Sequence, residues 1–244
     1  MLRVEILAPD RWAPTVVAEL AARLRERPAL RLCLPTGDTP SPLYAGLVAA
    51  EARGEVSLGS ATVVMLDEWL GLPPGDPARF DVRLHAELVD RLAQPPAAFL
   101  AIDVDGPDPA AAAARHDIAA QDLDLAVLGL GTNGHVGFNE PGSGPGDPTR
   151  VVRLAASSRR MATERYGASR IPDAGVTIGL ARLLEARECW LLVTGGRKAA
   201  VLQRALEGPE TPDCPASFLR RHPRLTVFAD APAAAALRLE VKHG

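Results

Sequence analysis

Apolar and polar positions along this chain fall into two patterns, which predict strands and helices in alternation. Short apolar or β-branched runs predict strands, because a strand that is buried on both faces has a continuous apolar sequence. Apolar residues spaced three and four positions apart, with charges between them, predict amphipathic helices. The predicted strands are 2–7, 30–34, 60–66, 99–102, 123–130, 151–154, 189–193 and 225–229, and the predicted helices are 14–27, 43–55, 80–92, 110–121, 157–166, 176–186, 199–208 and 231–239.

This alternation also predicts the fold class. Strands that alternate with helices form units in which the strands run parallel and the helices cover both faces of the sheet. We therefore expect a three-layer, doubly wound, Rossmann-like α/β fold that occupies residues 1–244 as a single domain. In such folds ligands bind beyond the carboxyl ends of the strands, so functional residues are expected in the loops that follow them.

Composition and charge exclude several classes of protein. The chain is 47% hydrophobic and 23% charged, as is typical of globular proteins. A net charge of −3 and an aromatic content of 4% argue against a nucleic-acid partner. No apolar stretch is long enough to cross a membrane, and the N-terminal residues lack the pattern of a signal peptide. Cys33, Cys189 and Cys214 form no metal or disulfide pattern, so a cytoplasmic location is expected.

The segment 123–144 carries the densest candidate chemistry. An apolar strand runs into a glycine-rich stretch that contains Asn133, His135, Asn139 and Glu140. A buried strand that leads into glycines and then into such side chains is typical of the edge of an active site. The alternative is a glycine-rich turn with a surface histidine and a capping asparagine, and spacing alone does not decide between the two.

Three further strand ends carry candidate residues. The second strand leads into Thr36, Gly37, Asp38 and Thr39 and then into a helix, an arrangement that presents backbone N–H groups to an anion. The same arrangement is more often an ordinary capped turn.

Adjacent carboxylates, Asp67 and Glu68, follow the third strand and suit proton abstraction, or they begin a helix or face water. If the strand geometry persists, their side chains point apart and have different roles. Lys198 follows a glycine turn at the start of a helix, where an anion would offset its unfavourable interaction with the helix dipole. The arginines of helix 157–166 either bind a phosphate or form a solvated helix face.

Together these strand ends suit a small phosphorylated substrate whose carbon skeleton undergoes proton transfer. The spacing of His, Cys and carboxylates offers no set of three metal ligands, so no metal is expected. No GxGxxG sequence follows the first strand, so a dinucleotide is not expected either. We expect no cofactor.

The sequences PTGDTP, MLDEWLGL, LGLGTNGHVGFNEPGS and LVTGGRKA occur in this order, and the chain resembles the shorter branch of the glucosamine-6-phosphate deaminase family. The resemblance implies that an amino sugar phosphate and water give fructose 6-phosphate and ammonia. The chain would act as a monomer or small homo-oligomer, without a nucleic-acid or membrane partner.

The resemblance also implies the roles of individual residues. His135 would open the sugar ring as an acid and base, with Glu140 and Asn133 orienting it. Asp67 would then move the proton between C2 and C1 of the sugar. The phosphate would be bound by Thr36, Gly37, Asp38, Thr39, Arg165 and Lys198.

The chain departs from the family pattern at a few positions. Asn133 replaces the aspartate of the longer enzymes, Asp38 replaces a glycine or serine, and Phe80 replaces a frequent tyrosine. A carboxylate that faced a phosphate would repel it, so the Asp38 side chain is expected to point away, cap the helix or bind another group. The alternatives are 6-phosphogluconolactonase-type hydrolysis of a sugar-phosphate lactone, which needs His135 but not Asp67, and a sugar-phosphate sensor without turnover.

Overall fold

The computed structural model describes residues 2–166 and 172–238, without the side chains of Met161, Arg165 and Tyr166. The strands are β1 (Arg3–Leu7), β2 (Arg31–Leu34), β3 (Thr62–Met65), β4 (Asp67–Trp69), β5 (Ala98–Leu100), β6 (Leu125–Gly129), β7 (Arg150–Arg153), β8 (Ala174–Thr177), β9 (Glu188–Val193) and β10 (Leu225–Asp230). The helices are α1 (Pro9–Glu26), α2 (Ser41–Ala52), α3 (Phe80–Glu87), α4 (Pro109–Ala119), α5 (Ala156–Tyr166), α6 (Leu180–Leu184), α7 (Ala199–Glu207) and α8 (Ala231–Ala234).

A seven-stranded sheet, in which every neighbouring pair is parallel, forms the centre of the fold, in the order β1-β10-β9-β6-β2-β3-β5. Alternate side chains of its strands enter two separate apolar clusters: Leu32 and Leu34 belong to one and Cys33 to the other. Helices α1 and α2 pack in the first cluster, and α6 and α7 pack in the second. Helices therefore cover both faces of the sheet, and the predicted fold class is confirmed.

The strand order changes direction between β2 and β6. From β2 the chain continues outward through β3 and β5, whereas β9 and β10 lie on the far side of β6. The loops that leave the carboxyl ends of β2 and β6 diverge at this point and leave a crevice, which is where open α/β sheets bind ligands. These two loops contain Thr36–Thr39 and Asn133–His135.

A second sheet covers this edge, and the sequence did not predict it. It consists of β4, β8 and β7 in the order β4-β8-β7, with antiparallel pairing. The prediction of a helix over 176–186 is therefore wrong in its first part: Ala174–Thr177 is a strand, and the helix spans only Leu180–Leu184. Val176, Thr177 and Ile178 are β-branched residues that favour a strand, and β8 pairs along both of its edges.

Other predicted boundaries shift by a few residues. Helix α1 begins at Pro9, with proline in its first turn, and it contains Pro14, which was predicted to begin it. Helix α3 ends at Glu87 and is followed by a 3₁₀ turn at Val89–Arg91. No helix among residues 2–166 and 172–238 is long and apolar enough to span a membrane.

Candidate active site

A cavity of about 560 Å³ lies at the carboxyl edge of the central sheet. It is lined by residues from all four strand ends that the sequence singled out. The candidate residues on its wall are Thr36, Gly37, Asp38, Thr39, Asp67, His135 and Lys198. Segments that are far apart in the sequence therefore meet at the carboxyl edge of the central sheet. Asn133 and Glu140 lie behind the wall, where they contact His135.

Asp67 is the first residue of β4 and is separated from the end of β3 by Leu66 alone. Its side chain is 7% exposed and lines the cavity. Within the described ranges, no donor forms a hydrogen bond or ion pair with its carboxylate. Burial, together with the charge of Glu68, raises the pKa of Asp67 well above the usual value. A buried carboxylate with a raised pKa is a stronger proton acceptor than an ordinary aspartate whenever it is ionised.

Glu68 points to the opposite side of β4 from Asp67, as strand geometry requires. It is fully buried and accepts hydrogen bonds from the backbone N–H groups of Trp69 (2.8 Å), Phe80 (3.0 Å) and Asp81 (2.8 Å). Burial raises its pKa to about 7, although the three N–H groups favour the charged form. Glu68 therefore joins β4 to the N-terminus of α3 and holds Phe80 at the cavity wall.

Replacing Glu68 by alanine is expected to lower the free energy of unfolding by about 3 kcal/mol, because three buried N–H groups lose their acceptor. Glu68→Gln retains one acceptor oxygen and should lose about 1 kcal/mol. Chemical denaturation of both variants measures this. The exposed Glu55→Ala is the control, and a Glu68→Ala midpoint equal to the control would contradict the anchoring role.

His135 is held from behind by three polar side chains. Glu140 Oε2 lies 3.2 Å from Nδ1 of His135, and Ser158 Oγ lies 3.3 Å from the same nitrogen. Asn133 donates to Glu140 Oε2 at 2.8 Å and accepts from the His135 backbone N–H at 3.1 Å. Burial by itself would raise the pKa of Glu140, but the hydrogen bonds and charge of His135, with those from Ser158 and Asn133, lower it. The ionised Glu140 thus holds Nδ1 as the donor and leaves Nε2 for a substrate.

The glycines around His135 are required by close packing. A Cβ atom on Gly131 would lie 2.3 Å from Nε2 of His135, so only glycine permits the imidazole ring to approach the backbone there. Gly134 has a φ of 95°, and a Cβ atom at this position would lie 2.7 Å from Sγ of Cys214. Asn139, fully buried, donates to the carbonyls of Val136 and Ile178 and joins the loop to the end of β8.

The part of the cavity wall formed by the first turn and Lys198 is suited to an anion. The backbone N–H groups of Thr36 and Gly37 have no hydrogen-bond partner among the residues described. Lys198 donates from Nζ to the carbonyl of Leu130 at 2.6 Å, and burial, with the nearby charge of Arg197, lowers its pKa to about 8. Thr39 and Thr194 are joined through their hydroxyls at 3.2 Å, which fixes the two turns against each other.

One N–H group of the second glycine turn is already occupied by a side chain. The N–H of Gly195 donates to both carboxylate oxygens of Asp230, at 3.1 and 2.9 Å. The turn presents the side chains of Thr194, Arg197 and Lys198 to the cavity instead.

The structure describes the side chains of two of the three arginines of α5, and neither lines the cavity. Arg159 forms an ion pair with Asp173, and neither Arg159 nor Arg160 lines the cavity. The side chain of Arg165 lies outside the described residues. Asp38 is exposed and lies at the cavity wall.

Several wall residues were not singled out from the sequence. They are Ser158, Thr194, Arg197, Trp69 and Phe138, of which the two aromatic rings pack with that of Phe80. The three rings lie within 5.6 Å of one another, centroid to centroid. Trp69 and Phe138 occur within the sequence motifs that contain Asp67 and His135, and this proximity could have identified them as wall residues.

No group of three or more potential metal ligands occurs in the described part of the chain.

Residues 8–227 match a family described as glucosamine-6-phosphate isomerases/6-phosphogluconolactonase. The chain belongs to this family.

Several relatives that are similar over most of their length are named glucosamine-6-phosphate deaminases. The chain is 36% identical to a glucosamine-6-phosphate deaminase of Streptomyces coelicolor, over 96% of this chain and 92% of the relative. It is also 36% identical to glucosamine-6-phosphate deaminase 2 of Bacillus subtilis, over 85% of this chain and 86% of the relative. A solved monomeric glucosamine-6-phosphate deaminase superposes with a TM-score of 0.92 at 29% identity, covering 96% of this chain and all of that one.

The other branch of the family shares the fold at greater distance. A 6-phosphogluconolactonase from Thermotoga maritima superposes with a TM-score of 0.74 at 20% identity, over 94% of this chain and all of that one. A likeness at this identity shows the fold alone.

Proposed function

We propose that this protein is a glucosamine-6-phosphate deaminase, which converts glucosamine 6-phosphate and water into fructose 6-phosphate and ammonia. The observation that carries the proposal is the buried, unpartnered Asp67 carboxylate on the wall that also holds His135. The names of the relatives support the same activity. One α/β domain would supply every group of the site.

The reaction would begin with ring opening. Nε2 of His135 takes the proton of the C1 hydroxyl and returns a proton to the ring oxygen, which gives the open-chain aldehyde. The carboxylate of Glu140 and the side chain of Asn133 keep the imidazole in the orientation and tautomer that this transfer needs.

Asp67 would then move a proton along the carbon chain. Its carboxylate removes the proton from C2, which is acidic beside the carbonyl, and an enolamine forms. The enolamine takes a proton at C1 and becomes an iminium, to which water adds before ammonia leaves. Burial suits Asp67 to this role, because a raised pKa makes its carboxylate a stronger base.

The phosphate would occupy the opposite end of the cavity, against Thr36, Gly37, Thr39 and Lys198. Arg165 is proposed as a further phosphate ligand on the family resemblance alone. Asp38, at the same end, is proposed to contact the substrate away from the phosphate, since two anions would repel each other.

An ammonia assay on the purified protein tests the proposal. Release of ammonia from glucosamine 6-phosphate or galactosamine 6-phosphate is the expected result, and the ratio of the two rates gives the preferred epimer. Absence of release from both substrates would reject the proposal.

Asp67 also separates this activity from the lactonase alternative. Hydrolysis of a sugar-phosphate lactone needs a base for water, which His135 supplies, and it leaves the Asp67 carboxylate without a function. If Asp67→Asn hydrolysed 6-phosphogluconolactone as fast as the unmodified protein does, the alternative would be favoured.

The affinity for the substrate is expected to fall on the alkaline side. Lys198 has a pKa lowered to about 8, so its ammonium is present below that pH and is lost above it. The KM for glucosamine 6-phosphate should therefore rise about tenfold when Lys198 loses its charge, the loss of one charge-assisted hydrogen bond. Steady-state kinetics between pH 7 and about pH 9.5 measures this.

Lys198→Arg is the matched control, because a guanidinium stays charged throughout this range. The substrate titrates equally in both proteins, so only the difference between their KM profiles is attributed to Lys198. Identical profiles would contradict the assignment.

The relative described as monomeric leads us to propose that this chain also acts as a monomer. Its three cysteines are buried free thiols, which fits a cytoplasmic enzyme.

A further inference from the structure

Arg197 lines the cavity next to Lys198, and the mechanism above gives it no role. It is exposed and lies in the 3₁₀ turn Gly196–Lys198 that precedes α7. No hydrogen bond or ion pair joins its guanidinium to any residue within the described ranges. By contrast, most other arginines that the structure describes, such as Arg79, Arg150 and Arg182, form ion pairs.

Two cations therefore stand side by side on one wall without an acid bound to either. Their mutual repulsion is visible in Lys198, whose pKa is lowered first by burial and then by the charge of Arg197. Two like charges at this distance repel each other, and the arrangement becomes favourable when an anion lies between the two groups.

The turn that carries Arg197 lies against the first turn. The hydrogen bond between Thr39 and Thr194 joins the two turns, and Thr194 lies three residues before Arg197. Lys198 reaches inward to the carbonyl of Leu130, whereas Arg197 stays at the exposed rim. An anion on the free N–H groups of Thr36 and Gly37 would thus meet Lys198 from the buried side and Arg197 from the solvent side.

We propose that Arg197 is a phosphate-binding residue of this site, which binds the phosphate monoester of the substrate opposite Lys198. The planar guanidinium can donate two parallel N–H bonds to a phosphate, which an ammonium cannot do. The identity of the substrate is taken from the proposed function, but the role of Arg197 requires only that the ligand carries a phosphate.

The experiment compares Arg197→Ala and Arg197→Lys with the unmodified protein and with Arg91→Ala, an exposed arginine that does not line the cavity. Calorimetric titration with inorganic phosphate measures binding without turnover, and steady-state kinetics measures KM and kcat. Arg197→Ala should weaken phosphate binding and raise the KM by about tenfold, with little change in kcat. Arg197→Lys should lie between, and Arg91→Ala should match the unmodified protein.

Three results would overturn the proposal. They are a dissociation constant for phosphate in Arg197→Ala within twofold of the unmodified value, a loss in Arg197→Lys as large as that in Arg197→Ala, and failure of the unmodified protein to bind phosphate. The first two would assign Arg197 no role or a packing role. If no amino sugar phosphate releases ammonia while phosphate binding still depends on Arg197, the proposed function fails and the phosphate site stands.

Discussion

Asp67→Asn is expected to lower kcat for ammonia release by about a thousandfold, within the range that a positioned general base contributes. The amide is nearly isosteric with the carboxylate, but it cannot remove the proton from C2. The KM should change little, because the phosphate end of the cavity is untouched. Ammonia release under saturating substrate measures the effect, and exchange of the C2 hydrogen with solvent deuterium shows whether proton abstraction itself has stopped.

The stability of this variant separates a catalytic role from a structural one. Burial raises the pKa of Asp67, so its ionised form disfavours folding above that pKa, and the neutral amide should leave the protein as stable or more stable. Asp213→Asn, an exposed site outside the cavity, is the matched control. Retention of more than a tenth of the activity in Asp67→Asn would contradict the assigned role.

The pH dependence of kcat/KM in the unmodified protein should reflect the ionisation of Asp67. Asp67 must be ionised to act, so kcat/KM should fall as the pH decreases through its raised pKa. This acid limb should lie at a higher pH than an ordinary aspartate would give. A rate that stayed constant down to the usual range of aspartate would contradict the raised pKa.

His135→Gln is expected to lower kcat by about a hundredfold or more, because the amide can form hydrogen bonds but cannot carry a proton between two oxygens. The hydrogen bond that Glu140 accepts can be kept by the glutamine N–H₂ group, so folding should be preserved. Steady-state ammonia release measures the loss. Glu140→Gln should give a smaller loss, since it leaves the imidazole in place and removes only the charge that orients it.

His85→Gln, on the exposed side of α3 and outside the cavity, is the matched control. An activity of His135→Gln that equals this control would show that ring opening does not depend on His135. Asp67 would then be the remaining catalytic residue that supports the deaminase proposal.

The sequence by itself determined the fold class, the central strands and the order of the four strand ends. A buried parallel strand such as β6 or β9 can be recognised from its own sequence, which is a run of apolar residues, because both of its faces are covered. Placing Asp67, His135 and Lys198 at one edge then follows from the topology of parallel sheets, since all of their carboxyl ends lie together.

Only the tertiary structure decided how those residues are used. Asp67 pairs in register with Thr177, more than a hundred positions along the chain, so no local pattern reveals that β4 and β8 pair with each other. Glu68 and Asp67 are indistinguishable in sequence as adjacent carboxylates. In the structure Glu68 accepts hydrogen bonds from N–H groups of β4 and α3, whereas Asp67 faces the cavity. Asp230 likewise occupies the turn at Gly195, and no acid in the described part of the chain pairs with Arg197. The physical reason is the same throughout: hydrophobic periodicity is a local property, whereas hydrogen-bond and charge partners are supplied by segments that meet only on folding.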